Sequence, residues 1–154
     1  MEQGHSDFLT TIRTYQESYR SPALPPFEIA DPYDLFPERG VGLFSCERKW
    51  PNSWLYPMRA GVYAFFSDDA ELLYVGKASF RSSISARLAT YCVHQEGRGS
   101  PCRLSNQWKV MPRYVVIVAV PEETRFEASA LEEFLIARLQ PPENSVGLDR
   151  EGSA

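Results

Sequence analysis

Glu132 is the residue whose position most needs a chemical explanation. The segment 124–140 reads as a helix, and on its wheel Glu132 falls between Leu139 and Ile136, inside an apolar arc, whereas Glu133 neighbours Ser129 and Gln140. A carboxylate on a buried stripe is costly unless a cation or a metal ion meets it. A second cluster lies upstream. Gly61-Val62-Tyr63-Ala64-Phe65-Phe66 and Leu72-Leu73-Tyr74-Val75-Gly76 read as strands flanking Ser67-Asp68-Asp69-Ala70. If that four-residue loop sets the register, Phe66 faces Glu71, Gly61 faces Gly76, and Tyr63 stands opposite Tyr74 on one face of the sheet, with Cβ atoms about 5 Å apart. Arg87 follows, sharing a helix face with Ile84, Leu88 and Tyr91. Around these residues the charge is uneven: Gly76 to Arg113 holds seven basic residues (Lys77, Arg81, Arg87, Arg98, Arg103, Lys109, Arg113) and one acid, Glu96, in a chain of net charge −4. That segment can focus a local positive field and attract phosphates whatever the overall balance, although the same side chains could simply scatter over a solvated surface.

These side chains require elements to hold them. Residues 6–20 read as a helix, with Phe8, Leu9, Ile12, Tyr15 and Tyr19 at three- and four-residue steps. From Ser21 to Pro57 the prolines at 22, 25, 26, 32, 37, 51 and 57 forbid long helices and predict an irregular wrap with short extended pieces, docked by Trp50 and Trp54. The helix carrying Arg87 is expected to start from an N-cap at Ser82 or Ser83 and to reach about Tyr91. Gly97, Gly99, Ser100 and Pro101 predict a loop. Tyr114–Val120 reads as a strand buried on both faces. Thr124-Arg125-Phe126-Glu127 fits a capping box for the last helix, which Pro141-Pro142 stops after Gln140.

The 154 residues suffice for one domain with a hydrophobic core and a small appendage. With 44% hydrophobic and 23% charged residues the chain is that of a folded globular protein, and its longest aliphatic run, Val115–Val120, is far too short to span a bilayer. Asp7, Arg13 and Glu17 interrupt the first apolar residues, so no signal peptide is expected; three cysteines are then expected as reduced thiols and the location as cytoplasmic. Cys92-Val93-His94 with Cys102 and Cys46 could in principle bind zinc, but the spacing fits no common finger.

Taken in order, Gly61-Val62-Tyr63, Tyr74-Val75-Gly76, Arg87, Glu132 and Asn144 resemble the motif series of the GIY-YIG nuclease family, and most closely its UvrC-type repair module, whose Gly-Lys-Ala is matched by Gly76-Lys77-Ala78 and whose tyrosine four residues past the arginine is matched by Tyr91. The tail from Leu131-Glu132 through Pro141 to Asn144 is similar as well. The interval from Tyr74 to Arg87 is longer than in that module by about three residues, and residues 1–59 match none of it. The resemblance implies an α/β (α+β) fold, a small central antiparallel three-stranded sheet flanked by helices. It divides the chain into an N-terminal helix and Pro-rich wrap (1–59), a nuclease-like domain (60–145) and a flexible tail (146–154). It also implies metal-dependent hydrolysis of DNA phosphodiester bonds. Glu132 would bind one Mg²⁺ or Mn²⁺. Arg87 would hold the scissile phosphate. Tyr63, with Tyr74 beside it, would act as base or orient water, with Lys77 favouring a phenolate and Tyr91 bonding to water or to Tyr63. Lys77, Arg81, Arg87, His94 and Asn144 are the expected substrate contacts, although Asn144 also suits a residue fixing the helix end. Expected partners are DNA, branched or single-stranded forms included, and a protein for targeting or inhibition, with no membrane. Plainer readings stand beside these. Strand tyrosines commonly just pack, and Arg87 could pair with Glu132. The chain could be an inactive binding module of the same fold, or a nuclease toxin or defence protein controlled by a partner.

Overall fold

The computed structural model describes residues 3–97, 99–105 and 107–145; Arg98 of the basic segment and the tail expected at 146–154 lie outside them. In chain order the elements are α1 (Gln3–Tyr19), β1 (Glu28–Ile29), β2 (Tyr33–Asp34), β3 (Gly61–Phe66), β4 (Leu72–Ala78), α2 (Ile84–Leu88), β5 (Cys92–His94), β6 (Cys102–Leu104), β7 (Tyr114–Ala119) and α3 (Glu127–Leu139). Three long antiparallel strands, ordered β7-β3-β4, form the centre, and the Pro-rich wrap adds β1 and β2 along the outer side of β7. Prolines on both sides keep those two pieces short.

Every residue of β3 and β7 is buried, because both faces of the sheet are covered. Val62, Ala64, Phe66, Val75, Val116 and Val118 meet Phe8 and Ile12 of α1 and Ala128, Leu131 and Leu135 of α3. On the other face, Tyr63, Phe65, Val115, Ile117 and Ala119 meet Ile84 and Leu88 of α2, Tyr91, and the wrap, with Trp50 and Trp54 docked there as the sequence predicts. Each fully buried aliphatic or aromatic side chain contributes about 1.5–3 kcal/mol, so α1 is part of the core although it precedes the stretch carrying the motifs.

The β3–β4 register differs from the expectation by two residues. Tyr63 pairs with Gly76 and Phe65 with Tyr74, while Phe66 pairs with Leu72 across an irregularity. The turn runs from Ser67 to Glu71, closed by Glu71 O accepting from Ser67 N–H and by Ala70 at φ 60°, which adds one residue to the loop. The bulge at Leu73 adds the second. Either slip alone would turn Tyr74 to the opposite face; together they restore it, and Tyr63 and Tyr74 remain on one side as diagonal neighbours. Gly76 is needed where it lies: a Cβ there would sit 2.5 Å from the Tyr63 ring.

Two further expectations need correction. Ser83 caps α2, accepting from Ala86 N–H at 3.2 Å, but the helix ends at Leu88, short of Tyr91. Thr90 and Tyr91 tighten into bonds to the carbonyls of Arg87 and Leu88, and the β-forming run Tyr91-Cys92-Val93 then enters the unforeseen hairpin β5–β6. The capping box does not form either. Thr124 lies in a 3₁₀ turn and its hydroxyl donates to the Glu127 carboxylate at 2.5 Å, while Arg20 donates to the same carboxylate at 2.6 and 3.0 Å. Helix α3 ends at Gln140, left-handed at φ 48°, immediately before Pro141.

Candidate active site

Strand β4 is the sheet's border, and its outer side is only half covered. Beyond α3 the chain returns along it: Glu143 N–H donates to Leu73 O at 2.9 Å, and the Asn144 side chain accepts from Val75 N–H at 3.0 Å and donates to Val75 O at 2.9 Å. Asn144 therefore acts as a one-residue strand partner. Both its amide atoms are engaged, so it positions β4, in keeping with the plainer reading of a residue that fixes the chain beyond the helix end.

Past Val75 the border opens into a cavity of about 260 Å³ lined by Tyr63, Tyr74, Lys77, Ser79, Ser82, Arg87 and Glu132. Five residues singled out in the sequence thus meet in one place, from opposite sides of the sheet. Tyr63 and Tyr74 stand on the α2 face with Arg87, whereas Lys77 points to the α3 face, donating to Ser129 Oγ at 3.0 Å. Glu132 comes from the second turn of that helix. A second cavity of about 480 Å³ continues along β4, sharing Tyr74, Lys77 and Glu132 and adding Ser129, Glu133, Ile136 and Asn144.

The phenols form a chain of hydroxyls. Tyr63 donates to Tyr91 Oη at 3.4 Å, and Tyr91 and Tyr74 share a bond of 3.0 Å. Burial, followed by the Tyr91 hydroxyl, pushes both Tyr63 and Tyr74 above the ordinary tyrosine range. For Tyr63 the opposing cation is Arg87, not Lys77. The expectation that Lys77 favours a phenolate is thus redirected: Lys77 acts on Glu132, from across the sheet border. Trp108, which the sequence reading passed over, packs on this cluster with ring centroids 5.2 Å from Phe65 and 5.9 Å from Tyr74. A lone tryptophan in a polar loop was the available signal. Ser79, Ser82 and Ser129 carried none.

Burial raises the Glu132 carboxyl above the usual range, and the fields of Lys77 and Arg87 offset this in part. Among the described residues no cation reaches ion-pair distance of Glu132, so the plainer alternative of an Arg87–Glu132 pair is not formed. Nor do the described residues contain a cluster of three or more His, Cys, Asp or Glu side chains suited to a metal. One half-buried carboxylate without a partner, open to a cavity, fits a hard divalent ion that keeps most of its waters and takes further oxygens from a ligand. It does not fit a fully protein-ligated metal.

The remaining candidates lie elsewhere. Arg81 is exposed and lines a neighbouring cavity with Ser79, Phe80, Arg125 and Phe126. His94 is exposed and stacks on Trp50, 6.2 Å between centroids. Arg113, counted in the basic segment, is only 6% exposed and is held by Asp34 at 3.3 Å and Asp68 at 3.2 Å, so it is a structural cation with nothing to offer a phosphate. Cys46, Cys92 and Cys102 are buried free thiols.

A family model described as a UvrC-like GIY-YIG domain matches residues 59–145. One curated relative, UvrABC system protein C of Wolbachia sp. subsp. Brugia malayi (strain TRS), is 34% identical over 96 residues, which is 62% of this chain and 14% of the relative. No solved structure matches. The matched stretch contains β3, β4, α2 and α3 with every side chain that lines the cavity, and extends over more than half of the sequence: the chain belongs to the UvrC-like GIY-YIG domain family.

Proposed function

We propose that the chain is a metal-dependent endonuclease that hydrolyses DNA phosphodiester bonds from the cavity at the open end of β4. The observation that carries this reading is the meeting of Tyr63, Tyr74, Lys77, Arg87 and Glu132 around one 260 Å³ space. Membership in a nuclease family supports it.

Hydrolysis at phosphorus needs a placed water, relief of charge on the phosphoryl oxygens and a stabilised leaving oxygen. The Arg87 guanidinium presents a planar fork that takes a phosphate through two bonds, and Lys77 adds a second positive charge on the other side of the cavity. Because Tyr63 directs its proton to Tyr91, its oxygen lone pairs are left to accept from a water. Tyr63 thus orients the water as a neutral phenol. The water's proton passes to bulk water or a phosphoryl oxygen as its oxygen bonds to phosphorus and the bond to the leaving oxygen breaks, and Arg87 beside Tyr63 is placed to neutralise the phosphoryl charge. Tyr74 shares a hydrogen bond with Tyr91 from the far side and so holds in place the hydroxyl to which Tyr63 donates. A Mg²⁺- or Mn²⁺-type ion held by Glu132 with waters would supply charge neutralisation at the phosphoryl group.

The test is nicking of supercoiled plasmid and cleavage of labelled single-stranded, duplex and branched DNA by the purified chain, with Mg²⁺ or Mn²⁺ and with chelator. Cleavage is expected only with the metal, and Glu132→Gln and Arg87→Ala are expected to abolish it while the far-ultraviolet circular dichroism stays unchanged. A folded parent that cleaves none of these DNAs would end the nuclease reading. Salt-dependent DNA binding that persists in Glu132→Gln would then indicate a binding module.

A further inference from the structure

We propose that Phe80 and Phe126 form an aromatic slot beside the cleavage cavity that receives one unstacked nucleobase of the DNA. The slot's placement next to a scissile phosphate rests on the nuclease reading; its capacity to bind a base does not.

Phe80 is 83% exposed and Phe126 is 69% exposed. Every other phenylalanine is buried or partly buried. The two rings come from the β4–α2 loop and from the residue preceding α3, and they flank a cavity of about 390 Å³ whose other lining residues are Ser79, Arg81 and Arg125. Ser79 also lines the cleavage cavity, so an occupant of the slot adjoins whatever occupies the site.

The loop holds Phe80 outward by construction. Phe80 has φ 52°, a left-handed backbone that is unusual for a bulky side chain. The Arg125 guanidinium fastens this shape by donating to Phe80 O at 3.1 Å and to Ser82 O at 3.0 Å, and Ser82 N–H closes a turn onto Ser79 O. A large apolar side chain kept in water by a strained, pinned loop is what a preformed contact surface requires. The loop lies within the Tyr74–Arg87 interval that runs longer than in the resembled module.

Charge selects the occupant. Arg81 is exposed and has no ion pair among the described residues. Arg125 keeps Glu122 at 3.2 Å. The slot therefore has apolar faces and a cationic rim, and continues into a cavity carrying Lys77 and Arg87. A nucleotide whose base is out of the stack matches this pattern, offering a π-face to the rings and a phosphate to Arg81. A base paired within duplex presents no face to the slot unless it is flipped out.

The test uses the full chain carrying Glu132→Gln to suppress cleavage, with fluorescein-labelled oligothymidylate and anisotropy over a range of salt concentrations. Phe80→Ala with Phe126→Ala is expected to weaken binding about tenfold with the salt slope unchanged, since stacking and no phosphate contact is lost. Phe80→Trp retains affinity, and Arg81→Ala reduces the slope. An abasic nucleotide walked along the strand is expected to reproduce the loss at one position, and there the phenylalanine substitutions should have no further effect. Parental affinity in the double phenylalanine variant overturns the slot, as does a loss insensitive to every abasic position. With Glu132 intact, a chain that binds but never cleaves removes the nuclease reading and leaves the slot to be decided by these titrations. A chain that binds no DNA overturns both.

Discussion

Replacing Asn144 by Ala removes both hydrogen bonds that hold the border of β4 at Val75, 3.0 and 2.9 Å long, and leaves that residue's N–H and C=O without partners. A backbone group stripped of its partner loses about 1 kcal/mol where water replaces it and up to about 3 kcal/mol where none can. Asn144 also lines the 480 Å³ cavity, so water can follow the missing amide and the loss falls toward the lower end, about 2–3 kcal/mol for the pair. In a chain of this size that lowers the melting temperature by roughly 4–12 °C. On the proposed function, activity is expected to fall further, because Tyr74 and Lys77 stand on either side of Val75 and both line the 260 Å³ cavity. Urea unfolding gives the stability change as a shift of midpoint at constant slope, and initial nicking rates on plasmid give the activity. Asn144→Asp keeps the acceptor for Val75 N–H but sets a carboxylate against Val75 O, so it is expected to be no better than Ala at neutral pH. A midpoint shift corresponding to less than about 0.5 kcal/mol for Asn144→Ala would refute the claim that this side chain substitutes for a strand.

Other outcomes follow from the same geometry. Glu132→Gln and Arg87→Ala should each lower the cleavage rate at least about 100-fold, read from single-turnover kinetics. Glu132 and Glu127, one helix apart by little more than a turn, should respond oppositely to pH. Burial raises Glu132, so the native state holds its proton above the pH at which the unfolded chain releases it. Stability from this group is present in acid and lost as pH rises through the raised value, and Glu132→Gln should make the protein more stable at neutral pH with the gain fading in acid. Burial alone would raise Glu127 too, but the bonds from Arg20 and Thr124 outweigh it and the carboxyl is lowered; its contribution is present above the usual carboxylate range and disappears as pH falls through the lowered value, and Arg20→Ala should abolish that acid-side dependence. Gly76→Ala forces the Tyr63 ring from its place and should cost about 1–3 kcal/mol in urea unfolding together with cleavage activity. A chain lacking residues 1–58 loses Phe8, Ile12 and Arg20, leaves Glu127 buried without its cation, and should fail to give a cooperative thermal transition.

What the sequence disclosed was governed by periodicity. Phe8 and Ile12 marked the buried stripe of α1, the unbroken run Tyr114–Val120 marked a strand covered on two faces, and Tyr63, Tyr74, Arg87 and Glu132 could be named because their order matched a known motif series. Pairing distances were not legible, since neither the left-handed Ala70 nor the bulge at Leu73 has a residue type that announces it. The parity of the tyrosines came out right because two single-residue offsets cancel. Tertiary partners were hidden for the same reason. Glu127 looked like a capping residue until Arg20, 107 positions earlier, closed on it, and Arg113 looked like part of a basic surface until Asp34 and Asp68 enclosed it. The side of β4 from which Lys77 acts follows from the odd step that separates it from Tyr74, but its partners Ser129 and Glu132 could not be counted out from the strand.

The cavity draws its side chains from both covers of one sheet: phenols and guanidinium from below, lysine and glutamate from above. Neither half amounts to a hydrolytic centre. During synthesis the tyrosines and the arginine leave the ribosome well before Glu132, and they remain an incomplete set until the last helix seats. On the nuclease reading, the chain order then means that any capacity to cut a polynucleotide would arise only with the finished fold.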